Sequence, residues 1–239
     1  MASKARLFYS NKLKTGTISR LSEKQSHYTK NVMRLKAGDK ISLFNSLDGE
    51  WDVKILDQGK IFTEFKVEKL SRPLSNEKNI WLAFSPIKKA PQDLMLQKTT
   101  ELGIQKFIPL LCERSVVREI NFKRAEKIIV EASEQSNRIT VPKIQELQRL
   151  DEFIKNFPAN GKIVFCDINS NSKDLKNKLP KKNPICILIG PEGDFSEEER
   201  QLIINYKNVI SITLSKNILR AETAAIASTT ILNYNLESK

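Results

Sequence analysis

The sequence predicts an α/β protein: a short β-rich N-terminal domain followed by a larger domain with a parallel sheet. Three patterns carry that expectation. Through about residue 70, short apolar stretches are punctuated by turn signals at Gly38-Asp39 and Asp48-Gly49, the spacing of a small β-barrel. Ser71-Arg72-Pro73-Leu74-Ser75-Asn76 is then polar and proline-containing, as a linker would be. Beyond residue 77, strand-like and helix-like patterns alternate, which builds a parallel sheet with helices on both faces. The expected domains are residues 1–72 and 73–239.

The elements follow from local chemistry. Residues 15–21 alternate, and Ser22 is placed to cap a short helix reaching about Met33. A strand over 40–45 follows the Gly38-Asp39 turn, and 50–57 with 60–70 read as a hairpin. In the larger domain, strands are expected at 79–85, 106–111, 162–166, 184–189 and 209–214. Helices are expected at 91–102, 121–138, 173–179, 196–206 and 221–234. The helix over 121–138 has Phe122, Ala125, Ile128, Ile129 and Ala132 on one face, and the continuously apolar run Ile185 to Ile189 marks a central strand.

Composition removes several classes of function. A hydrophobic content of 40% with 28% charged residues is that of an ordinary globular chain. No apolar run approaches the roughly 20 residues that span a bilayer. Residues 1–10 lack the apolar core of a signal peptide, and Cys112, Cys166 and Cys186 are scattered and odd in number. A reducing, cytoplasmic setting is therefore expected, with the cysteines as small buried hydrophobes. His27 is the single histidine, so a zinc site lacks its usual ligands and no metal is expected. The net charge of +12 is unevenly placed: residues 1–40 hold ten basic residues against Glu23 and Asp39, a net of +8. Such clustering fits a polyanion, because neutralised phosphates release their counterions.

Two strand-end loops are the candidates for chemistry, since ligands of open α/β sheets bind where strands lead into helices. The first is Gly190-Pro191-Glu192-Gly193-Asp194-Phe195-Ser196, with Ser196 and Glu199 forming a capping box. It lacks the Lys-Ser/Thr of a phosphate loop and the third glycine of a dinucleotide fingerprint, which excludes a nicotinamide dehydrogenase. Its two acids suit an amine or sulfonium better than a phosphate. The second runs Leu214-Ser215-Lys216-Asn217-Ile218-Leu219-Arg220-Ala221-Glu222-Thr223-Ala224. Arg220 there sits at the unfavourable end of the following helix's dipole. Taken singly, the first loop fits a structural turn as well as a ligand loop, and the second fits a packed alanine-rich helix.

Together the two loops resemble the ribosomal small-subunit (16S) RNA uridine-N3 methyltransferases of the SPOUT superfamily. Lys98-Thr99-Thr100-Glu101-Leu102-Gly103 and Glu131-Ala132-Ser133-Glu134-Gln135-Ser136-Asn137-Arg138 extend the likeness, which covers essentially the whole chain. The resemblance implies a PUA-like RNA-binding barrel, a SPOUT domain with a deep trefoil knot, S-adenosylmethionine as cofactor, and a homodimer. It implies that Gly190, Pro191, Glu192 and Gly193 line one side of the cofactor, and Leu214, Ser215, Ile218 and Leu219 the other. Cys166 and Asp167 would form the third wall.

The chemistry then assigns roles. Uracil N3 is a poor nucleophile until its proton leaves, and the resulting charge on O2 and O4 calls for a fixed cation. Arg220 is the expected cation and Glu222 the expected proton acceptor. Arg6, Arg20, Lys30 and Arg34 are the expected RNA contacts of the first domain, with Gln135 and Arg138 holding the base or nearby phosphates. The rival readings are a transfer-RNA ribose 2′-O-methyltransferase of the same superfamily and a non-catalytic RNA-binding assembly factor.

Overall fold

The computed structural model describes residues 5–75, 77–170, 175, 179–180 and 183–237. Most of the helix expected over 173–179, together with Lys4, lies outside them. The chain divides into two compact units, Met1–Asn76 with Ser133–Val141, and Glu77–Ala132 with Pro142–Lys239.

The first unit is built on a five-stranded sheet: β1 (Arg6–Phe8), β2 (Ile18–Arg20), β3 (Lys40–Asn45), β4 (Gly49–Gln58) and β5 (Thr63–Arg72), in the order β1-β3-β4-β5-β2. β1 pairs parallel with β3 and the other pairs are antiparallel. Period-two burial follows from the pleat. Ile41, Leu43, Val53, Ile55, Phe65 and Val67 supply one buried face, joined by Leu7 and Leu21. Register shifts in the β4–β5 pairing bend that ribbon. The two ends of the sheet approach each other where the Tyr9 hydroxyl lies 2.7 Å from that of Ser19.

Ser22 caps α1 (Glu23–His27) through a capping box with Gln25. The helix does not continue to Met33 as an α-helix. It widens into a π-helical turn, Tyr28–Val32, in which the Met33 N–H donates to the Tyr28 carbonyl at 3.0 Å.

The second unit carries an all-parallel sheet. Its strands are β6 (Ile80–Phe84), β7 (Lys106–Leu111), β8 (Lys143–Ile144), β9 (Gln148–Arg149), β10 (Lys162–Cys166), β11 (Ile185–Ile189) and β12 (Val209–Ile212). They lie in the order β12-β10-β11-β6-β7-β8, with β9 also pairing β7. The expected central strand is β11, buried along its whole length between β10 and β6. The helices are α2 (Lys89–Glu101), α3 (Phe122–Gln135), α4 (Leu150–Asn156), α5 (Glu197–Ile204) and α6 (Ala221–Glu237). One face of the sheet, including Ile108, Leu110, Ile163, Phe165, Cys186 and Leu188, packs with Phe153, Ile154 and Phe157 of α4 and Ile203 of α5. α2 and α6 pack on each other, and α6 also lies against β11.

Helix α3 stops three residues short of the expected Arg138. Asn137 adopts φ +64° and the Arg138 N–H donates to the Ser133 carbonyl at 3.3 Å, a Schellman stop that asparagine tolerates. The expected linker is also shorter, because Ser71 and Arg72 complete β5.

Candidate active site

Parallel strands place all their carboxyl ends together. The chain leaves β6 toward β7 on one side and leaves β11 toward β12 on the other, so the crevice of the sheet opens between β6 and β11. There the Ser85 N–H donates to the Ile189 carbonyl at 3.3 Å. β10 stands between β11 and β12, with Phe165 level with Leu188 and Cys166 level with Ile212. That register brings three of the expected segments together at one end of the sheet: 166–167, 190–193 and 214–219.

The loop after β11 is held from within. A Cβ on Gly190 would meet the Phe195 ring at 2.7 Å, so only glycine lets that ring lie on the backbone. The ring also packs edge-on against Phe165, with centroids 5.5 Å apart. Asp194 takes φ +60°, a conformation that asparagine and aspartate tolerate, and its carboxylate accepts the Phe195 N–H at 2.8 Å. The Asp194 N–H closes the turn onto the Pro191 carbonyl at 3.0 Å. Ser196 and Glu199 form the expected capping box, and Glu199 also accepts the Glu113 N–H at 2.8 Å. Pro191 is buried, whereas Glu192 and Gly193 are exposed.

At the end of β10, Asp167 is buried and its carboxylate takes Arg200 of α5 at 2.5 Å and the Asn169 N–H at 2.9 Å. Its side chain is thereby engaged in the fold, and so is its main chain: the Asp167 N–H donates to the Ile212 carbonyl at 2.9 Å and its carbonyl accepts the Ser170 N–H at 3.1 Å. Burial pushes the Cys166 thiol up to about 12, opposed by a hydrogen bond with Ser228 of α6. Cys112 is likewise pushed up to about 12 by burial and Cys186 is raised by the same cause, so none of the three is an activated nucleophile.

The loop after β12 is different. Ser215 accepts the Asn217 N–H at 3.0 Å, and its carbonyl accepts the Thr213 hydroxyl at 3.1 Å. Leu214, Ser215 and Leu219 are half-buried, but Ile218 is 86% exposed. Arg220 precedes α6, where its carbonyl accepts the Ala224 N–H at 2.8 Å, and Glu222 lies in the first turn. Among the described residues, neither side chain has a hydrogen bond or ion pair.

The first unit redistributes the expected RNA contacts. Arg20, 66% exposed beside Glu64 at 3.5 Å, Lys30, donating to the Gly59 carbonyl at 3.0 Å, and Arg34 are all at the surface. Gln135 is exposed too. Arg6 is placed differently: its side chain is 10% exposed, and it donates to Glu50 at 2.9 Å, the Ser133 carbonyl at 2.9 Å and the Glu134 carbonyl at 3.1 Å. Those internal acceptors use the donors a phosphate would need. Arg138 is also buried, and donates to the Thr140 hydroxyl at 3.2 Å.

Sequence reasoning missed Ser85, Ser115, Phe195 and Arg200. The Ser85 and Ser115 hydroxyls lie 2.8 Å apart beside the crevice, and Ser115 accepts the Cys112 N–H at 2.9 Å. No periodicity links residues 30 apart, so these pairs become visible only in the fold. Among the described residues no cluster of His, Cys, Asp and Glu could hold a metal ion.

A parallel sheet with candidate ligand loops at its strand ends and a β-rich unit with clustered basic residues fit a nucleic-acid-modifying class, and known families agree. A model described as an RNA methyltransferase domain matches residues 74–233, and one described as an RNA methyltransferase PUA domain matches residues 21–68. The chain is 34% identical over 228 residues to ribosomal RNA small subunit methyltransferase E of Rickettsia conorii, covering 93% of this chain and 92% of that protein. The Bacillus subtilis protein of that name is 28% identical, covering 88% of each. The crystal structure of the Neisseria gonorrhoeae enzyme of that name, bound to S-adenosyl methionine, superposes with a TM-score of 0.86 at 26% identity, over 97% of this chain and 98% of that one. A putative methyltransferase of Legionella pneumophila, also with bound cofactor, gives 0.85 at 25% identity over 98% of each. The chain belongs to the ribosomal RNA small subunit methyltransferase E family.

Proposed function

We propose that the protein methylates N3 of a uridine in 16S ribosomal RNA, presented within the small ribosomal subunit, with S-adenosylmethionine as methyl donor. The observation that carries this reading is the convergence of the 190–193, 166–167 and 214–219 segments around the end of β10. Their chemistry fits the cofactor. Glu192 is an exposed acid and residues 190–196 themselves carry no cation, while Arg114 donates to the Gly193 carbonyl at 3.5 Å. Half-buried Leu214, Ser215 and Leu219 offer apolar surface and main-chain groups to an adenine, and Gly190, Pro191, Cys166, Asp167 and Ile218 complete the lining. When bound, the cofactor supplies a methyl group on a positively charged sulfur. The trefoil knot and the PUA-like barrel are part of this proposal, supported by the family, as is the 1–72/73–239 division apart from Ser133–Val141, which belong with the first unit.

The chain's own residues do the rest. Glu222 accepts the N3 proton, and Arg220 faces the negative charge that the departing proton leaves on O2 and O4. The cofactor held by these segments would supply the methyl to the deprotonated nitrogen, its carbon–sulfur bond breaking to leave a neutral thioether, so in-line positioning supplies much of the rate. Arg20, Lys30 and Arg34 contact the RNA backbone, and Gln135 also contacts RNA, with buried Arg138 shaping the turn beside it. The exposed Ile218, Ile231 and Tyr234 support a homodimer formed through α6, measurable by sedimentation.

The test is to incubate the protein with cofactor and small subunits and map reverse-transcriptase stops. A methyl on N3 blocks Watson–Crick pairing and halts extension at one uridine. Cofactor-dependent methylation without a stop would favour a ribose methyl, and cofactor binding without methylation would overturn the enzyme reading.

A further inference from the structure

The end of α3 is held more elaborately than a helix end requires. Its Schellman stop already satisfies one orphan carbonyl, yet two arginines of the first unit also donate there. Arg6 reaches the carbonyls of Ser133, Glu134 and Arg138. Arg72 reaches the carbonyl of Asn137 at 3.1 Å and its side-chain oxygen at 2.8 Å. Glu50, 7% exposed, accepts from both guanidinium groups and so fixes their spacing. Arg6 also stacks over Phe44, 3.8 Å from the ring centroid. Farther along the segment, the Glu134 carboxylate accepts the Phe8 N–H at 2.9 Å, and the Val141 N–H donates to the Ser46 hydroxyl at 3.0 Å.

An ion triad with Arg6 and Glu50 buried and Arg72 36% exposed is a poor device for stability alone, since apolar replacements of buried pairs commonly do as well. It is a good device for fixing geometry. Planar, forked donors on successive carbonyls allow one turn conformation and no other. The turn so fixed carries the exposed Gln135 and Asn137.

We propose that Arg6, Glu50 and Arg72 are positioning residues for RNA recognition, holding the 135–138 turn so that Gln135 is presented to the substrate. This rests on the reading that Gln135 contacts RNA. It gives the buried Arg6 a role in RNA binding without a phosphate contact, and it predicts an effect of opposite sign to plain electrostatics. Glu50→Gln makes the protein more positive, which by charge alone would tighten RNA binding. Loss of the triad geometry would weaken it.

The experiment measures RNA affinity and steady-state kinetics of the full chain with S-adenosylmethionine, using small-subunit RNA at several salt concentrations. Glu68→Gln serves as control: it makes the same charge change at an exposed pair with Lys40 in the same unit. Glu50→Gln is expected to weaken RNA binding and raise the RNA KM about tenfold, the scale of a lost charged hydrogen bond, with kcat, cofactor affinity and salt slope unchanged. Glu68→Gln is expected to leave binding unchanged or tighter. RNA affinity at or above the parent's in Glu50→Gln overturns the proposal. If that variant does not fold, Asn137→Gly decides: it keeps the positive φ and removes one Arg72 contact. A KM rise of about threefold supports the proposal and an unchanged KM overturns it. Gln135→Ala separates the two readings. If it weakens RNA binding and Glu50→Gln does not, the positioning role alone falls; if it has no effect, both fall.

Discussion

In the loop after β11, ring, carboxylate and cap hold one another inside the chain, whereas the loop after β12 ends in an exposed isoleucine and two charged side chains without partners among the described residues. The first has Phe195 seated on Gly190, Asp194 bonded to the next amide and a closed capping box. The second leaves Ile218 and Arg220 exposed and Glu222 half-buried. The difference teaches where holding ends and acting begins. A preformed wall costs little reorganisation when a ligand arrives, while groups that meet a reacting base must be available to it.

The contrast can be broken by substitution. The largest expected effect is in the open loop: Arg220→Ala should lower kcat about 100- to 1000-fold, as loss of an oxyanion donor does, while thermal stability stays within about 0.5 kcal/mol. Methyl transfer to small subunits and a melting curve measure the two, and a normal kcat would remove Arg220 from the chemistry. In the closed region the order of effects reverses. Arg200→Met leaves Asp167 buried without its guanidinium, and unfolding should become easier by about 3 kcal/mol. Gly190→Ala forces a Cβ against the Phe195 ring, costing about 1–3 kcal/mol and weakening cofactor binding in calorimetry. The smallest effect sharpens the comparison. Asp194→Gly relaxes the positive φ but loses the bond to the Phe195 amide, so denaturation should shift by less than about 0.5 kcal/mol.

Acid adds a test in the other unit. Burial works against the charged form of Glu50, but hydrogen bonds from Arg72 and Arg6 overcome it and hold the carboxyl below its ordinary value of 4.5. A depressed carboxylate stabilises the fold above that ordinary value and loses the contribution as pH falls through its folded value. The parent protein should therefore lose stability faster than Glu50→Gln below about pH 4.5 in denaturant titrations.

Legibility in the sequence followed pattern length. β3, β7 and β10 lie where their apolar runs end, and Ser22 and Ser196 cap the helices they announce, because these signals are local. β1 went unread since three residues, Arg6–Phe8, show no period. α4 was missed although Leu150, Phe153, Ile154 and Phe157 have helical spacing, because the pattern spans only seven helical residues. The candidate loops were visible through their motif likeness rather than through physics. Their neighbourhood was not: the pairing of Asp167 with Arg200 and the burial of Arg6 both depend on strand order. Residues 121–138 looked like one continuous helix because asparagine carries no stop signal as strong as glycine's.

The discontinuity of the first unit has a consequence for how the chain is made. Arg6, Glu50 and Arg72 emerge from the ribosome early, but the carbonyls the two arginines hold belong to Ser133–Val141, 57 to 65 residues after Asn76. At synthesis rates of about 5–20 residues per second, the nascent β unit waits roughly 3–13 s with its charged triad unanswered. Its final closure is thus a late, non-local event, completed only after β6 and β7 of the following sheet have been translated.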